Sequence, residues 1–235
     1  MRMEYLTAEA TLAGAEEMAW RDRDFDTLSR LYLPLQEARR QRRQRCGEGT
    51  VCLDLLAEGP GDRLDARAIV DRFPHGQLLI AGWATLEPAV ETRRLQCERG
   101  LYLDIFLAAA YPSGSSRALV IAPLPDVPLP RADNARAALS MLTDWPTNCI
   151  VGDESMVPRG QRPGTPETYG QVMALWEMLH TPFLEAADAE PDLLTRIEAY
   201  RKIIEVDYAC ELAHQKLSDV AKELARRRRP DHRPQ

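Results

Sequence analysis

Apolar residues recur at helical spacing at both ends of the chain and at strand spacing in its middle. Between residues 8 and 45, Ala8, Leu12, Ala15 and Ala19 mark one apolar face, and Leu28, Leu31, Tyr32, Leu35 and Ala38 mark another. Each set predicts an amphipathic helix. Asp22-Arg23-Asp24 between them is short enough for an antiparallel hairpin. Thr7 and Asp26 are the expected caps, since a short side-chain oxygen satisfies amides that a first helical turn leaves open. Pro34 lacks the N–H its turn needs and is expected to kink or restart the second helix.

From about residue 49 to 153 the period changes. Thr50 to Leu56 alternates like a strand, Asp65 can cap a helix carrying Ile69, Val70 and Phe73, and Gln77 to Trp83 is nearly continuously apolar. The last pattern is that of a strand covered on both faces. A helix follows from Thr85, with Pro88 in its first turn and Gly100 past its end. Leu101 to Ala109 and Arg117 to Ala122 read as hairpin strands around Tyr111-Pro112-Ser113-Gly114-Ser115-Ser116. Ala132 to Leu142 reads as a helix and Asn148 to Val151 as a short strand. This alternation predicts a small mixed β-sheet flanked by helices, an α/β (α+β mixed) fold with helical hairpins at both ends and an all-α C-terminal region.

The expected segmentation is a helical hairpin over 1–47, an α/β domain over 48–154, a Pro/Gly-rich connection over 155–166, helices over 167–228 and a basic tail over 229–235. Thr165-Pro166 and Thr181-Pro182 each read as a cap followed by a first-turn proline, and further helices are expected over about 192–206 and 209–228.

Composition narrows the class. The chain has 235 residues, 45% hydrophobic and 28% charged, with net charge -6, which excludes collagen-like, disordered and disulfide-scaffold chains. Five cysteines without a Cys-x-x-Cys pair suit reduced thiols and a cytoplasmic setting. The longest charge-free apolar run, about Leu78 to Thr85, is far short of the ~20 residues that span a bilayer, so no membrane span is expected. No cofactor or metal site is expected either, because the histidines are dispersed and no nucleotide, zinc-protease or hydrolase signature is present.

Arg196-Ile197-Glu198-Ala199-Tyr200-Arg201-Lys202-Ile203-Ile204-Glu205-Val206-Asp207, running into Ala213, Leu217 and Ser218, resembles the second helix of a tetratricopeptide repeat followed by the first helix of the next. Arg23-Asp24-Phe25-Asp26 with Leu28, Leu31 and Tyr32 resembles the turn and second helix of such a repeat. The resemblance covers about residues 22–35 and 192–224 and implies protein-interaction surfaces.

Candidate chemistry lies mostly in the middle. Asp54 and Asp104 each interrupt an apolar strand; on neighbouring strands they could pair, raise one another's pKa and serve acid-base work or hold a divalent cation. The alternative is that each meets an arginine such as Arg93 or Arg94, or solvent. Asp153 and Glu154 follow a short strand, a position where α/β proteins keep ligands. Ser115 and Arg117 could bind an anion at the hairpin turn. Gly59-Pro60-Gly61-Asp62-Arg63-Leu64 occupies the place of a phosphate loop, but Pro60 removes a donor and Asp62 adds a negative charge.

The charge is unevenly spread. Arg39, Arg40, Arg42, Arg43 and Arg45 form one basic cluster, and Lys222 with Arg226 to Arg229 begins another. Three functions follow as expectations: a protein-interaction or regulatory protein binding a partner or a second copy, with Arg39, Arg42, Arg43, Trp176 and Tyr200 as interaction residues; a small-molecule enzyme holding an anionic substrate at the strand ends through Asp54, Asp104, Asp153 or Glu154; or nucleic-acid binding through the arginines.

Overall fold

A computed structural model describes residues 5–130 and 148–228. Among them are seven helices, α1 (Tyr5–Arg21), α2 (Phe25–Gly47), α3 (Ala66–Arg72), α4 (Glu87–Arg99), α5 (Pro166–Ala189), α6 (Leu193–Val206) and α7 (Glu211–Arg228). Six strands, β1 (Thr50–Leu56), β2 (His75–Trp83), β3 (Tyr102–Ser113), β4 (Ser116–Ala122), β5 (Ile150–Asp153) and β6 (Arg162–Pro163), make one open mixed sheet in the order β5-β4-β3-β2-β1-β6. The fold is therefore mixed α/β. The helix expected at 132–142 and the basic tail at 229–235 lie outside the described residues.

Two units divide the chain: Met1–Arg42 with His180–Gln235, and Arg43–Leu179. The helical segments from the two ends thus belong to one unit, and the boundaries fall within α2 and α5.

In the α/β unit, β1, β2 and β3 are parallel neighbours joined through α3 and α4, β4 and β5 continue the sheet antiparallel, and β6 pairs antiparallel with β1. Register assigns the faces. Cys52, Leu78 and Ile105 are aligned across the three parallel strands, and they bury against Ile69, Val70, Phe73, Ala89 and Leu95 from the two crossover segments. Each fully buried Leu, Ile or Phe there contributes about 1.5–3 kcal/mol. The aligned set one residue earlier, Val51, Gln77 and Asp104, faces the other way.

Local chemistry sets the ends of the crossover helices. Asp65 caps α3, its carboxylate accepting the Arg67 N–H. Gly100 ends α4 in the left-handed region at φ 61°, which lets the Leu101 N–H reach Gln96 O at 3.0 Å. Glycine adopts that conformation without the steric cost a Cβ would bring.

The stretch expected to be a plain connection is different in structure. Residues 154–156 form a 3₁₀ turn, and β6 runs along the edge of β1 as Thr50↔Pro163 and Val51↔Arg162. Proline is tolerated there because an edge strand need not donate on its outer side.

In the helical unit, α1 and α2 form the expected antiparallel hairpin: Glu9 meets Arg39 and Arg42, whereas Trp20, further along α1, meets the earlier Tyr32 through a 2.8 Å hydrogen bond. The cap of α2 is Asp24, which accepts the Thr27 N–H at 3.0 Å, rather than Asp26, which pairs with Arg30. Pro34 and Pro182 both lie inside continuous helices. Pro34 is exposed, so water can satisfy the carbonyl its missing N–H leaves open. Leu28, Tyr32, Ile197, Tyr200, Ile203, Ala213, Leu217 and Ala221 form the unit's core. No helix among the described residues is long and apolar enough to cross a membrane.

Candidate functional site

The paired-carboxylate idea fails on register. Asp104 shares a face with Gln77, while the Cys52 thiol, on the opposite face, donates to Asp54 Oδ1 at 3.4 Å. The two carboxylates therefore lie on opposite sides of the sheet and cannot share a proton or a cation. Asp54 accepts the Gly160 N–H at 2.6 Å as well, tethering the segment that leads into β6. Burial, then the neighbouring Asp54 carboxylate, push the Cys52 thiol up to about 11, leaving it protonated near neutrality.

Asp104 has a structural partner set. Its Oδ2 accepts from Arg43 Nε at 3.1 Å, Trp176 Nε1 at 3.2 Å and Gln77 Nε2 at 3.4 Å. The Arg43 guanidinium stacks on the Trp176 ring at 4.7 Å, and that ring stacks on Phe106 at 4.2 Å. The side chains of Arg43 and Asp104 are only 2% and 1% exposed. The arginine that Asp104 meets thus comes from the end of α2, not from α4. There Arg93 caps Ile105 O and Arg94 pairs with Glu91 and Glu98.

Glu154 and Arg117 do meet, with Asp153 beside Glu154 in the chain. Arg117 holds Glu154 through Nε at 2.7 Å and Nη2 at 2.6 Å, and Arg159 adds a third contact at 3.2 Å. Asp153 accepts the Ser155 N–H at 2.7 Å, and this bonding to Ser155 lowers its carboxyl below the usual range. Glu154 thus neutralises the guanidinium nominated for an anion, and Ser115 lies exposed at the turn beyond it.

The nominated interaction residues are also committed. Arg43, Trp176 and Tyr200 are buried, so no partner can touch them in the folded chain. Arg39 and Arg42 pair with Glu9, Arg40 with Glu37 and Arg45 with Glu48. Each arginine of this cluster has an acidic neighbour, which removes the uncompensated basic stripe that a nucleic-acid footprint requires. In the second cluster, Lys222 and Arg227 pair with Asp219 and Glu223.

A cleft of about 670 Å³ opens instead where β1 and β2 end, between the loops that lead into α3 and α4. Arg63, Arg67, Trp83, Glu87 and Glu91 line it. Carboxyl ends of parallel strands are where α/β sheets place ligands, because the connecting loops diverge there. The phosphate-loop candidate forms one wall but folds onto itself: Asp62 N–H donates to Gly59 O, and the Asp62 carboxylate accepts the Glu58 N–H at 2.9 Å. Asp65 is occupied as a cap, and hydrogen bonding to Arg94 holds Glu91 below the usual carboxylate range. None of the ion pairs among the described residues involves Arg63 or Arg67, but the Arg67 charge also acts on Glu91 and helps lower its carboxyl.

Trp83, Arg67 and Glu87 carry no motif that marks them in the sequence. Their available signal is position alone: Trp83 is the last residue of β2, and Arg67 and Glu87 lie in the first turns of α3 and α4. Compared with known proteins, the chain matches no family model, no curated protein and no solved structure.

Proposed function

We propose that this is a non-catalytic interaction or regulatory protein of the cytoplasm, in which tetratricopeptide-like helical hairpins engage a protein partner. The observation that carries this reading is the exposure of one large apolar residue on each of four helices of the helical unit: Met18 at 59%, Leu33 at 49%, Leu194 at 41% and Leu212 at 46%. Exposed apolar side chains contribute to association when a partner covers them. The reading also gains from the carboxylates nominated for catalysis, each of which has a structural task. Cysteines without disulfides suit the reducing compartment. Full-length protein used as bait in its native host's extract should retain a stoichiometric partner that M18D/L33D/L194D/L212D loses while keeping its helical circular dichroism. Identical captures by both baits would refute the proposal.

A second reading rests on the cleft. Arg63 and Arg67, beside the half-buried Trp83 and the exposed Glu87, suit a small acid with a flat body and a donor group. Both guanidinium groups are exposed and share the cleft with Glu87 and Glu91, so each contributes through a charge-assisted hydrogen bond reduced by solvent and by these acids. For any small acid that raises the melting temperature of the wild type, R63A/R67A should weaken binding by roughly tenfold or more, as read by calorimetry. Unchanged affinity in that variant would exclude the cleft.

A further inference from the structure

The turn between α6 and α7 brings Asp207 and Cys210 beside His180 of α5, all within the helical unit. One ligand atom from each, a carboxylate oxygen, the thiol sulfur and a ring nitrogen, lie within 4.8 Å of one another. The backbone builds this convergence. Asp207 N–H closes α6 on Ile203 O at 2.8 Å, Cys210 N–H returns to Asp207 O at 3.0 Å, and Asp207 Oδ1 accepts the Ala209 N–H at 3.1 Å. Two residues three apart are thereby held on one side of the turn. His214, whose Nδ1 lies 2.7 Å from Cys210 O and whose Nε2 lies 3.0 Å from Arg39 Nη1, braces Cys210 from the first turn of α7. Asp207 and Cys210 are buried, and the His180 side chain keeps 13% exposure, which leaves a solvent side to the cluster.

We propose that His180, Asp207 and Cys210 form a binding site for one divalent transition-metal ion of the zinc class, with a fourth position open to water. Hard cations such as magnesium and calcium take oxygen ligands, whereas one sulfur, one nitrogen and one oxygen suit a borderline ion. Zinc bonds of about 2.0–2.3 Å set tetrahedral donors about 3.4–3.6 Å apart. His180 Nδ1 now lies 2.7 Å from Asp207 Oδ2, and that contact opens by about 0.7 Å to reach the zinc spacing. The remaining donors, within 4.8 Å, draw in by side-chain rotation. Loading forms one bond from the ion to each donor and releases to solvent both the Cys210 thiol proton and the proton that His180 Nδ1 shares with Asp207 Oδ2, with no change of oxidation state. A metal here departs from the sequence expectation, because the donors come as Asp-x-x-Cys with a histidine contributed by a separate helix. Its consequence is a cross-link from α5 to the α6–α7 turn.

The test uses the full chain, stripped of metal and titrated with Co(II), then with Zn(II) in competition. The site requires one equivalent of Co(II), a sulfur-to-cobalt charge-transfer band, and displacement by Zn(II). C210S should abolish the band, and H180N should weaken both ions at least tenfold, while C97S, at an exposed thiol outside the cluster, should change nothing. Should C210S fail to fold by circular dichroism, H180N at the part-exposed ligand decides. No charge-transfer band, a band that survives in folded C210S, unchanged affinity in H180N, or loss of the band in C97S each overturns the site.

Discussion

Asp104→Ala is expected to cost about 3–5 kcal/mol of stability, the range for breaking one side of a buried ion pair. The substitution leaves the Arg43 guanidinium, 2% exposed, stacked on Trp176 without its carboxylate. Burying a charge without its counter-charge is far more costly than burying neither. Trp176 Nε1 and Gln77 Nε2, which donate to the same Oδ2, also lose their acceptor. At about 2–4 °C per kcal/mol for a chain of this length, the melting temperature should fall by roughly 6–20 °C. R43M/D104L, which removes both charges and retains volume, should lie much closer to wild type, so the two single variants will be strongly non-additive in a double-mutant cycle. A loss for Asp104→Ala below about 1 kcal/mol by urea denaturation would place the pair in the class of weakly coupled surface bridges and contradict its burial.

This pair also marks how far the sequence reaches. An aspartate inside Tyr-Leu-Asp-Ile-Phe leaves three fates open in the sequence, a second carboxylate, an arginine or solvent, and burial beside Arg43 decides among them. The partner's identity is not local. Arg43 sits in a run of five arginines that reads as one solvated basic face, yet its members go in different directions: Arg43 inward to Asp104, Arg39 and Arg42 to Glu9, Arg40 and Arg45 to acids on the surface. Helical rotation of 100° per residue separates these fates, and only tertiary contacts reveal which neighbour awaits each guanidinium.

The strands and helices themselves are legible where periodicity is strong or a cap is explicit, as for β2 with its continuous apolar run and for α3 behind Asp65. Elements whose signal is weak or overridden are not. β6 has two residues, too few to show a period, and Pro182 reads as a helix start although the flanking apolar face continues through α5. The cleft is half visible: Gly59 to Leu64 stands where a phosphate loop would, and the structure keeps the location while turning the loop's own carboxylate inward. The Asp54–Asp104 pairing fails for a definite reason. β2 lies between β1 and β3, and the β1–β2 register shifts between Cys52 and Leu55, so strand order and face must be known before a pair can be judged.

Gly76→Ala should rival the loss of Asp104. Gly76 opens the parallel ladder between β1 and β2 opposite Thr50, at φ 153°, where L-residues are rarely found. A Cβ at this position would lie 2.0 Å from Thr50 O and 2.9 Å from Thr50 C. Both are backbone atoms, so no rotamer change relieves the overlap; β1 and β2 must separate at their start. The displacement acts next on Val51↔Gln77, and Gln77 donates to Asp104 at 3.4 Å, which couples the clash to the buried charge cluster. Overpacking of about 1–3 kcal/mol and backbone strain of about 1–3 kcal/mol together give an expected loss of roughly 2–6 kcal/mol. Gly100→Ala separates the two contributions. That glycine has φ 61° but nothing within 4 Å of where an alanine methyl would stand, so only the strain of about 1–2 kcal/mol for a left-handed residue should remain. If thermal melting shows Gly76→Ala no more destabilising than Gly100→Ala, the strand ends are free to part and the close approach of β1 to β2 does not constrain the fold.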